Sequence, residues 1–390
     1  MVFLNNKHRT TLLSFLAYFV MSGMLTPMGI ISGSMSEYFG VPVTEVTARF
    51  SWLTFGVLAG AIIALFIFDL FNLKKLMIAV YGVILAALVS LMFADSLSAV
   101  GAAMGLIGLC CAIGLAGGAL VISRSYDTEK RASMLVITDG SFSVAGIVCS
   151  WIAIFLISRE YHWAGVYQFV AFIAALVIFL SLRSSFPATE ADSGDAADKE
   201  RWPLGVWLCI VGLFLYTLGQ WSFLLWLPTY AQTELAVPAD QGGQLVGQFW
   251  TGMFLAQLFV AWWVLKVGVP RLVVIAGMST TLFSIPLWLI KDINVLLVVA
   301  ALWGFANLGL LKVALSFATQ MVRRPTARLV STLILGATLG TACGPWVTSK
   351  IVAATSTHFI LQFGTACYIS LTVLLLAASY LYRKNAYREY

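Results

Sequence analysis

The chain has 390 residues, of which 61% are apolar and only 10% are charged, and its formal net charge is +6. Soluble domains are about half apolar and about a quarter charged, so this composition excludes a soluble protein and leaves no room for a sizeable soluble domain. The basic residues gather in short turns between apolar runs, which is a signal of membrane topology and not of a nucleic-acid-binding surface.

Twelve apolar runs reach the length of about 20 residues that a helix needs to cross a bilayer. In chain order these predicted spans are Thr11–Ile31, Val46–Phe68, Leu76–Ala94, Ser98–Ile122, Ala132–Ile157, Trp163–Leu182, Leu204–Tyr230, Gln244–Leu265, Leu272–Ile290, Val295–Thr319, Leu329–Ala353 and Phe359–Leu381. We therefore predict an all-α polytopic membrane protein with two pseudo-symmetric six-helix bundles.

One long polar segment separates the sixth span from the seventh. It carries more acids than bases and few large apolar side chains, which is typical of a disordered tether. It divides the chain into an N-terminal bundle (1–183), a central linker (184–203) and a C-terminal bundle (204–390). Of the 23 Lys and Arg residues, 18 fall in turns on one side of the predicted membrane and 4 on the other. This bias predicts that both termini and the linker lie in the cytoplasm.

The two halves share an internal repeat. A shift of 196 positions superposes glycines of one half on glycines of the other, span for span. The matching pairs are Gly23 with Gly219, Gly56 with Gly252, Gly108 with Gly304, and Gly140 with Gly336. One ungapped offset that links four pairs of spans in order indicates a repeat, and parallel six-span repeats are typical of transporters whose bundles rock about a shared central site.

Two local motifs extend this pattern. The turn after the second span reads DLFNLKK from Asp69, an acid followed by a turn residue and bases. The eleventh span contains Gly336, Gly340 and the pair Gly344-Pro345. With twelve spans, two halves and a cytoplasmic central loop, the chain resembles the major facilitator superfamily over its whole length. Its beginning, FLAYFVMSGMLTPMGIISGSM, is most similar to the TsgA branch near the fucose permease group.

The resemblance implies a secondary active transporter, a symporter or antiporter, that moves a small-molecule solute across the bacterial inner membrane by alternating access. It also implies a multi-pass monomer in the lipid bilayer, without a cofactor, and a gating role for Asp69. Two features depart from the pattern: Asn72 stands where glycine is usual, and spans 1 and 4 lack the acids expected of the fucose permease group. These departures leave open a polytopic sensor or structural protein that keeps the fold without transport.

Catalytic motifs are missing from the sequence. It contains no P-loop, no nucleophile elbow and no HExxH. We therefore expect no enzyme activity, no metal site and no ATP-driven step, with coupling to a gradient. The six cysteines lie inside apolar runs without CxxC spacing, which is typical of small apolar packing residues.

Two ionisable residues lie well inside predicted spans, where a charge is costly in lipid and often functional. Asp139 in span 5 lies roughly 10 Å into its helix from the cytoplasmic end, and Lys312 in span 10 lies at a similar depth. We expect Asp139 to couple protons and Lys312 to pair with it in a closed cytoplasmic gate. The alternative for the carboxylate is a hydrogen bond to nearby hydroxyls, on Thr138, Ser141 or Ser143. The alternative for the ammonium is extension to the lipid headgroups.

The opposite face offers a second candidate gate. Glu45 and Arg49 are one helical turn apart at the start of span 2, and Lys350 lies near the outer end of span 11. In the fold that the chain resembles, these two spans are neighbours, so a bridge from Glu45 to Lys350 would close the outer side. The alternative is an ordinary ion pair between Glu45 and Arg49 at a solvated helix end.

The resemblance also implies that spans 1, 4, 7 and 10 line the substrate cavity. Six residues in these spans are candidate substrate contacts: Tyr18, Thr26, Gln220, Trp221, Trp303 and Asn307. A hydroxyl or amide in the middle of a membrane needs a partner, and an indole stacks on sugar-like rings. The alternatives are bonds to neighbouring backbone and, for the tryptophans, anchoring at the membrane interface. The neutral, aromatic-rich set suits an uncharged or lipophilic solute, whereas Lys312 would favour an anion.

Overall fold

The computed structural model describes residues 5–186, 202–322 and 327–386. The chain divides into two compact units, Met1–Asp192 and Ser193–Tyr390. Most of the predicted linker, 184–203, lies outside the described residues, and the bundle boundaries at 183 and 204 stay predictions.

The first unit is built from helices that follow one another through short turns. They are α1 (Asn6–Leu25), α2 (Met28–Phe39), α3 (Val43–Arg49), α4 (Ser51–Leu70), α5 (Leu73–Ser90), α6 (Leu97–Ser125), α7 (Thr128–Ser158) and α8 (Gly165–Arg183). A single 3-10 turn, Leu91–Phe93, extends α5. Within this unit α4 packs on α6, α5 on α8, and α1 on α6, α7 and α8.

The second unit has the same plan. Its helices are α9 (Leu204–Glu234), α10 (Ala239–Val267), α11 (Val269–Ser284), α12 (Pro286–Leu289), α13 (Ile293–Ala306), α14 (Leu310–Gln320), α15 (Ala327–Ala354) and α16 (Thr357–Ala386). Here α10 packs on α13, α11 on α16, and α9 on α10, α15 and α16.

Each predicted span falls on one helix or on two consecutive helices. Among the described residues, ten helices are long and apolar enough to cross a membrane, or eleven if α1 and α2 form one bent span. The predicted span Gln244–Leu265 lies on α10, whose side chains are described only in part. The prediction of an all-α membrane fold is therefore confirmed, while the orientation of the termini remains a prediction.

The structure corrects the shape of two predicted spans. Span 1, Thr11–Ile31, bends by 49° between α1 and α2, and the helix continues to Phe39. Pro27 stands at the bend and has no amide hydrogen to donate to the preceding turn. Span 10, Val295–Thr319, is broken near its middle into α13 and α14. Hydropathy alone does not indicate either interruption, because both lie inside continuous apolar runs.

Two of the four glycine pairs in the repeat mark close crossings of helices. A Cβ added at Gly56 on α4 would overlap the carbonyl oxygen of Gly105 on α6, and one added at Gly108 would overlap that of Leu53. With no side chain between them, the two backbones are in direct contact. Only glycine permits this approach at both positions.

The second unit repeats these crossings at the same offset of 196 positions. A Cβ at Gly252 on α10 would overlap the carbonyl oxygen of Ala301 on α13, and one at Gly304 would overlap that of Phe249. Each of these residues is the counterpart of one in the α4–α6 crossing. The offset therefore relates backbone contacts as well as residue types.

The end of α8 is fastened by side chains from two other helices. Asn6 Nδ2 donates to the Ser185 carbonyl at 2.9 Å, and the Ser185 amide donates to Asn6 Oδ1 at 2.8 Å. Lys74 Nζ donates to the carbonyls of Leu182 and Ser184 at 3.1 and 2.9 Å. Since the last carbonyls of a helix have no partner within it, Lys74 acts as a C-terminal cap.

Candidate functional site

The break between α13 and α14 lies near the middle of the 28-residue apolar segment Ile293–Gln320. Leu308 and Gly309 both adopt left-handed backbone conformations there, with φ of 46° and 59°. Glycine tolerates this conformation, whereas leucine is strained in it by about 1–2 kcal/mol. Such strain persists where the surroundings impose it and is concentrated at functional sites.

The interruption leaves backbone groups without helical partners, and side chains of α11 satisfy one of them. The Ala306 carbonyl accepts hydrogen bonds from Ser279 Oγ at 2.7 Å and from Thr280 Oγ1 at 3.3 Å. The Leu310 amide donates to the Asn307 carbonyl at 2.8 Å. Irregular backbone at membrane depth is tolerated only where protein buries it or it lines a cavity. Two hydroxyls on α11 thus hold the break in place.

Asn307 is fully buried at this break. Its Nδ2 donates to the Trp303 carbonyl at 2.7 Å, and its Oδ1 is buried without a hydrogen-bond partner. Because a carbonyl can only accept, the amide nitrogen must face Trp303, and the atom left over is the acceptor. Other buried side-chain atoms of the described residues share this state, among them Thr26 Oγ1 and Trp303 Nε1.

Aromatic rings surround Trp303, one helical turn before Asn307. The Trp303 ring centroid lies 4.3 Å from that of Phe249, 4.9 Å from Phe223 and 6.4 Å from Tyr368. Tyr216 joins the group with its ring 6.4 Å from Tyr368, and its buried hydroxyl has no hydrogen-bond partner. These contacts fix the orientation of the Trp303 indole within the C-terminal unit. Its predicted stacking on a solute stays a prediction.

The predicted contacts on α9, Gln220 and Trp221, lie in sequence between two members of this aromatic group, Tyr216 and Phe223. Gln220 is 8% exposed, and within the part of the chain that the structure describes its side-chain amide has no hydrogen-bond partner. Trp221 is 6% exposed and packs against Gly344 of α15. A Cβ added at Gly344 would lie 3.0 Å from the Cβ of Trp221. α9 also packs on α14, the helix that follows the break.

The predicted contacts in the N-terminal unit lie along α1. Tyr18 is half-buried, and Thr26 is 2% exposed, with a buried hydroxyl that has no partner. Thr26 stands at the bend that Pro27 introduces. In each unit, therefore, one apolar segment is interrupted. Beside the interruption lies a predicted contact residue, Thr26 or Asn307, whose side chain has a buried oxygen without a hydrogen-bond partner.

Asp139 is half-buried in α7, just before the two residues of that helix, Ser141 and Phe142, that hydrogen-bond to α1. In these bonds Ser22 Oγ donates to the Phe142 carbonyl at 2.6 Å, and Ser141 Oγ donates to that of Phe15 at 3.0 Å. The Thr138 hydroxyl donates to the Met134 carbonyl at 2.7 Å. Both the proton-coupling role of Asp139 and its alternative, a hydrogen bond to Thr138, Ser141 or Ser143, stay predictions.

The predicted gating residues occupy several separate places. Lys312 is half-buried in the first turn of α14, and Lys350 is exposed near the end of α15. Glu45 is exposed on α3, while the side chain of Arg49 packs over Gly101 at the start of α6. Among the described residues no ion pair joins Glu45 to Arg49. The Asp69 side chain lies outside the described residues, and the pairings of Asp139 with Lys312 and of Glu45 with Lys350 stay predictions.

The sequence reasoning missed the groups that shape the break. Ser279 and Thr280 lie in an apolar run where small hydroxyl residues are common, so nothing marks them as partners of Ala306. The tripeptide Asn307-Leu308-Gly309 did carry a signal, because asparagine and glycine favour turns and are unusual together inside a span. Reading these three residues as a turn would have located the interruption.

Outside the spans, His162 lies in an aromatic cluster between α7 and α8. Its ring lies 4.9 Å from that of Tyr38 and 5.3 Å from that of Trp163, and its Nδ1 accepts from the Ala164 amide at 3.2 Å. Burial lowers the pKa of His162 below its ordinary value of about 6.5. If His162 Nδ1 carried a proton, its N–H and the Ala164 amide N–H would both be donors, and this hydrogen bond would be lost.

We predict that the N-terminal unit loses stability in acid through this residue. Since its folded-state pKa is lowered, the stabilisation is present above about pH 6.5 and is lost as the pH falls below that value. Between pH 7.5 and pH 5, the unfolding temperature of the wild type should fall further than that of His162→Gln. His8→Gln, at an exposed position in α1, is the control and should behave as wild type. Equal falls in the wild type and in His162→Gln would contradict the prediction.

No group of three or more potential metal ligands occurs in the described ranges of the chain. The cysteines are free thiols, five of them buried and Cys343 half-buried. Among the residues described, the polar groups gathered near the break between α13 and α14 are the Asn307 amide, the hydroxyls of Ser279 and Thr280, and the ammonium of Lys312. Such groups can bind a solute by hydrogen bonds.

Comparison with known proteins places this geometry in context. The sequence profile of the Major Facilitator Superfamily matches residues 10–247 and 209–390 of the chain. The chain is similar to the Protein TsgA homolog of Serratia proteamaculans (strain 568), with 25% identity over 387 residues that cover 98% of each protein. It is 26% identical over 380 residues to the Protein TsgA homolog of Yersinia pestis (strain Pestoides F), which cover 96% of each.

Among solved structures the fold is similar to that of the nucleoside transporter NupG. A point mutant of NupG superposes with a TM-score of 0.78 at 12% identity, over 96% of this chain and 100% of that one. A second NupG structure superposes with a TM-score of 0.72 at 15% identity, over 96% of this chain and 99% of that one. At such low identity the similarity concerns the fold alone.

Proposed function

Because the chain belongs to the major facilitator superfamily of secondary transporters, we propose that it carries a small uncharged solute by alternating access, coupled to protons through Asp139. The observation that carries the proposal is the break at Asn307, where a buried amide oxygen without a partner lies inside an apolar segment. In transporters, discontinuous helices of this kind form substrate sites.

The proposed substrate contacts are the six residues predicted from the sequence. Asn307 and Gln220 supply amides, Thr26 and Tyr18 supply hydroxyls, and Trp221 and Trp303 supply ring faces. Spans 1 and 4 contain no acidic residue, which favours a neutral solute over a cation. NupG, which is similar in fold, is a nucleoside transporter, so nucleosides belong among the first solutes to test.

Asp139 is the proposed proton carrier. It is half-buried in α7, and no other acid lies well inside a predicted span of either half. An ionisable group within a transmembrane segment is a functional candidate because a charge there is costly. Protonation would remove that charge and change the relative stability of the transporter's two states.

The proposal also covers the membrane location, the oligomeric state and the lack of catalytic activity. The bias of 18 of the 23 basic residues supports termini on the cytoplasmic side of a bacterial inner membrane. We propose a monomer without catalytic activity, since the sequence lacks every catalytic motif sought. Both symport and antiport fit this arrangement.

The experiment is substrate-driven proton flux in reconstituted vesicles. Purified protein in vesicles with an internal pH-sensitive dye is exposed to nucleosides, sugars, amino acids, organic anions and lipophilic drugs in turn. We expect at least one uncharged solute to produce a pH change that protein-free vesicles lack. Flux that appears only with anions would contradict the neutral substrate. No flux with any solute would favour a non-transporting sensor instead.

A further inference from the structure

We propose that the N-terminal unit binds the phosphate headgroup of an anionic membrane lipid in a basic cavity at one end of its bundle. None of the proposed substrate contacts lines this cavity, and lipid binding there does not depend on transport. Three features carry the inference: the residues that line the cavity, two arginines next to them in the chain, and an apolar helix face that ends beside them.

The cavity lies where three helices of the N-terminal unit begin or end. Its volume is about 290 Å³, and it is lined by Asn6, Lys7, Thr10, Ser125, Ser185 and Phe186. α1 begins at this place, α6 ends at it, and α8 ends two residues before Ser185. Sites for whole small molecules start at about 300 Å³, so the cavity has room for a headgroup and not for the acyl chains.

Lys7 supplies the positive charge of the cavity. Its Nζ lies 4.1 Å from the centroid of the Tyr126 ring, and the Tyr126 hydroxyl shares a hydrogen bond of 2.8 Å with Thr11 Oγ1. An ammonium on an aromatic face still has N–H donors for an anion. Tyr126 therefore keeps the charge of Lys7 in place before any ligand binds.

Hydrogen bonds between distant parts of the chain hold the cavity wall together. Asn6 and Ser185 exchange two of them, at 2.9 and 2.8 Å. Lys74 Nζ donates to the carbonyls of Leu182 and Ser184 just before. The segment after α8 is thus fastened to α1 and α5. The cavity is a built part of the bundle and not a gap between loose ends.

Two guanidinium groups stand next to the cavity in the chain. Arg9 directly precedes Thr10, and Arg124 directly precedes Ser125. Arg9 Nε and Arg124 Nη1 are buried without a hydrogen-bond partner, and among the described residues they are the only such atoms of a permanently charged group. An unpaired buried donor costs more free energy on a charged group than on a neutral one. An anion bound at this end of the bundle would lower that cost.

The charge around the cavity favours a ligand with a net negative charge. No acid belongs to the described residues that line it, and the nearby Asp127 is exposed and not part of the lining. A headgroup that carries its own ammonium would bring a second cation close to Lys7. A lipid without phosphate would leave the basic groups without an anion. Basic pockets between transmembrane helices bind anionic headgroups in this way.

The outer face of α8 favours a lipid over a free phosphate. Phe172, Phe179 and Leu182 are its large exposed apolar side chains, and their spacing of seven and three residues places them on one side of the helix. The Arg183 guanidinium lies 5.6 Å from the centroid of the Phe179 ring. This face ends three residues before Ser185, so acyl chains can lie along it while the phosphate occupies the cavity. A soluble phosphate would make no use of such a face.

The test measures lipid binding to the purified, delipidated full-length protein by native mass spectrometry. The three lipid probes share two oleoyl chains: phosphatidylglycerol is anionic, phosphatidylcholine carries a compensating cation, and dioleoylglycerol has no phosphate. Glycerophosphoglycerol, which is the first headgroup without chains, and inorganic phosphate are tested as competitors. The lipids isolate the effect of charge, and the competitors distinguish a lipid from a soluble phosphate.

We expect phosphatidylglycerol to bind about tenfold more tightly than phosphatidylcholine or dioleoylglycerol. Lys7→Gln and Arg124→Gln should each weaken phosphatidylglycerol by about fivefold and leave phosphatidylcholine unchanged. Lys75→Gln removes the same charge at an exposed position of α5 and should bind as wild type. Lys7 is also exposed, so its substitution should leave the fold intact. The comparison of probes on wild-type protein needs no variant.

Three results would overturn the inference. Equal binding of the three lipids would exclude a site for an anionic headgroup. Displacement of phosphatidylglycerol by either competitor at equal concentration would assign the cavity to a soluble phosphate. Wild-type affinity in both Lys7→Gln and Arg124→Gln would place the bound lipid elsewhere. None of these results bears on solute transport, which the flux assay tests separately.

Discussion

Replacing Gly252 with leucine is expected to abolish the folded protein in the membrane. A Cβ at this position would overlap the Ala301 carbonyl oxygen and lie 2.8 Å from its carbonyl carbon and 2.9 Å from the Phe305 amide nitrogen. All three atoms belong to the α13 backbone, which cannot rotate away as a side chain can. α10 and α13 would have to separate along their crossing, and overpacking of even flexible cores costs about 1–3 kcal/mol. A rigid crossing should cost more, out of a total of about 5–15 kcal/mol.

The measurement is the yield and peak shape of a fluorescent fusion in detergent by size-exclusion chromatography. Gly56→Leu should fail in the same way, because the equivalent atoms of α6 approach it. Gly82→Leu, in α5, is the matched control, since a Cβ added at Gly82 meets no atom within 4 Å. A monodisperse Gly252→Leu protein at the wild-type yield would show that the α10–α13 crossing is not as close as described.

Neutralising Asp139 should have the second large effect, on coupling and not on folding. In Asp139→Asn, uptake driven by a pH gradient is expected to fall to the level of protein-free vesicles, because an amide cannot carry a proton. Exchange of labelled for unlabelled solute across equilibrated vesicles should continue, since it needs no net proton movement. The two assays on one preparation therefore separate loss of coupling from loss of transport.

Two variants serve as controls for this prediction. Asp139→Glu keeps a titratable carboxyl and should retain gradient-driven uptake. Asp127→Asn removes an exposed carboxylate just before the same helix and should match the wild type. Gradient-driven uptake that persists in Asp139→Asn would show that the proton is carried elsewhere or that the transporter is uncoupled.

Hydropathy and the glycine repeat were sufficient to predict the fold. A helix must satisfy its own backbone in lipid, so an apolar run of sufficient length leaves few alternatives. The repeat at 196 positions predicted equivalent bundles, and two of its four glycine pairs, Gly56 with Gly252 and Gly108 with Gly304, are crossing points of helix backbones. The resemblance to the major facilitator superfamily and its TsgA branch is confirmed by the profile match and the relatives.

The interior of the C-terminal unit was less predictable. An amide in an apolar span needs a partner, which makes Asn307 a candidate from the sequence, and Asn307 does lie buried at the break. Hydropathy over the run Val295–Thr319 does not indicate that the helix stops there, because it measures polarity and not backbone conformation; the only signal is the turn-favouring pair Asn307 and Gly309. The caps from Ser279 and Thr280 depend on how α11 packs, which is a tertiary property. Which atom of the Asn307 side-chain amide remains without a partner likewise depends on the position of the Trp303 carbonyl.

α6 and its counterpart in the second half, α13 with α14, differ in whether the helix is continuous. α6 runs unbroken from Leu97 to Ser125, whereas the equivalent segment of the second half stops at Asn307-Leu308-Gly309. The matching residues in α6 are Cys111, Ala112 and Ile113. If one ancestral helix was copied, its two descendants now differ in continuity through a tripeptide. The two halves thus keep one helical design, and at these three positions one copy is continuous while the other is interrupted.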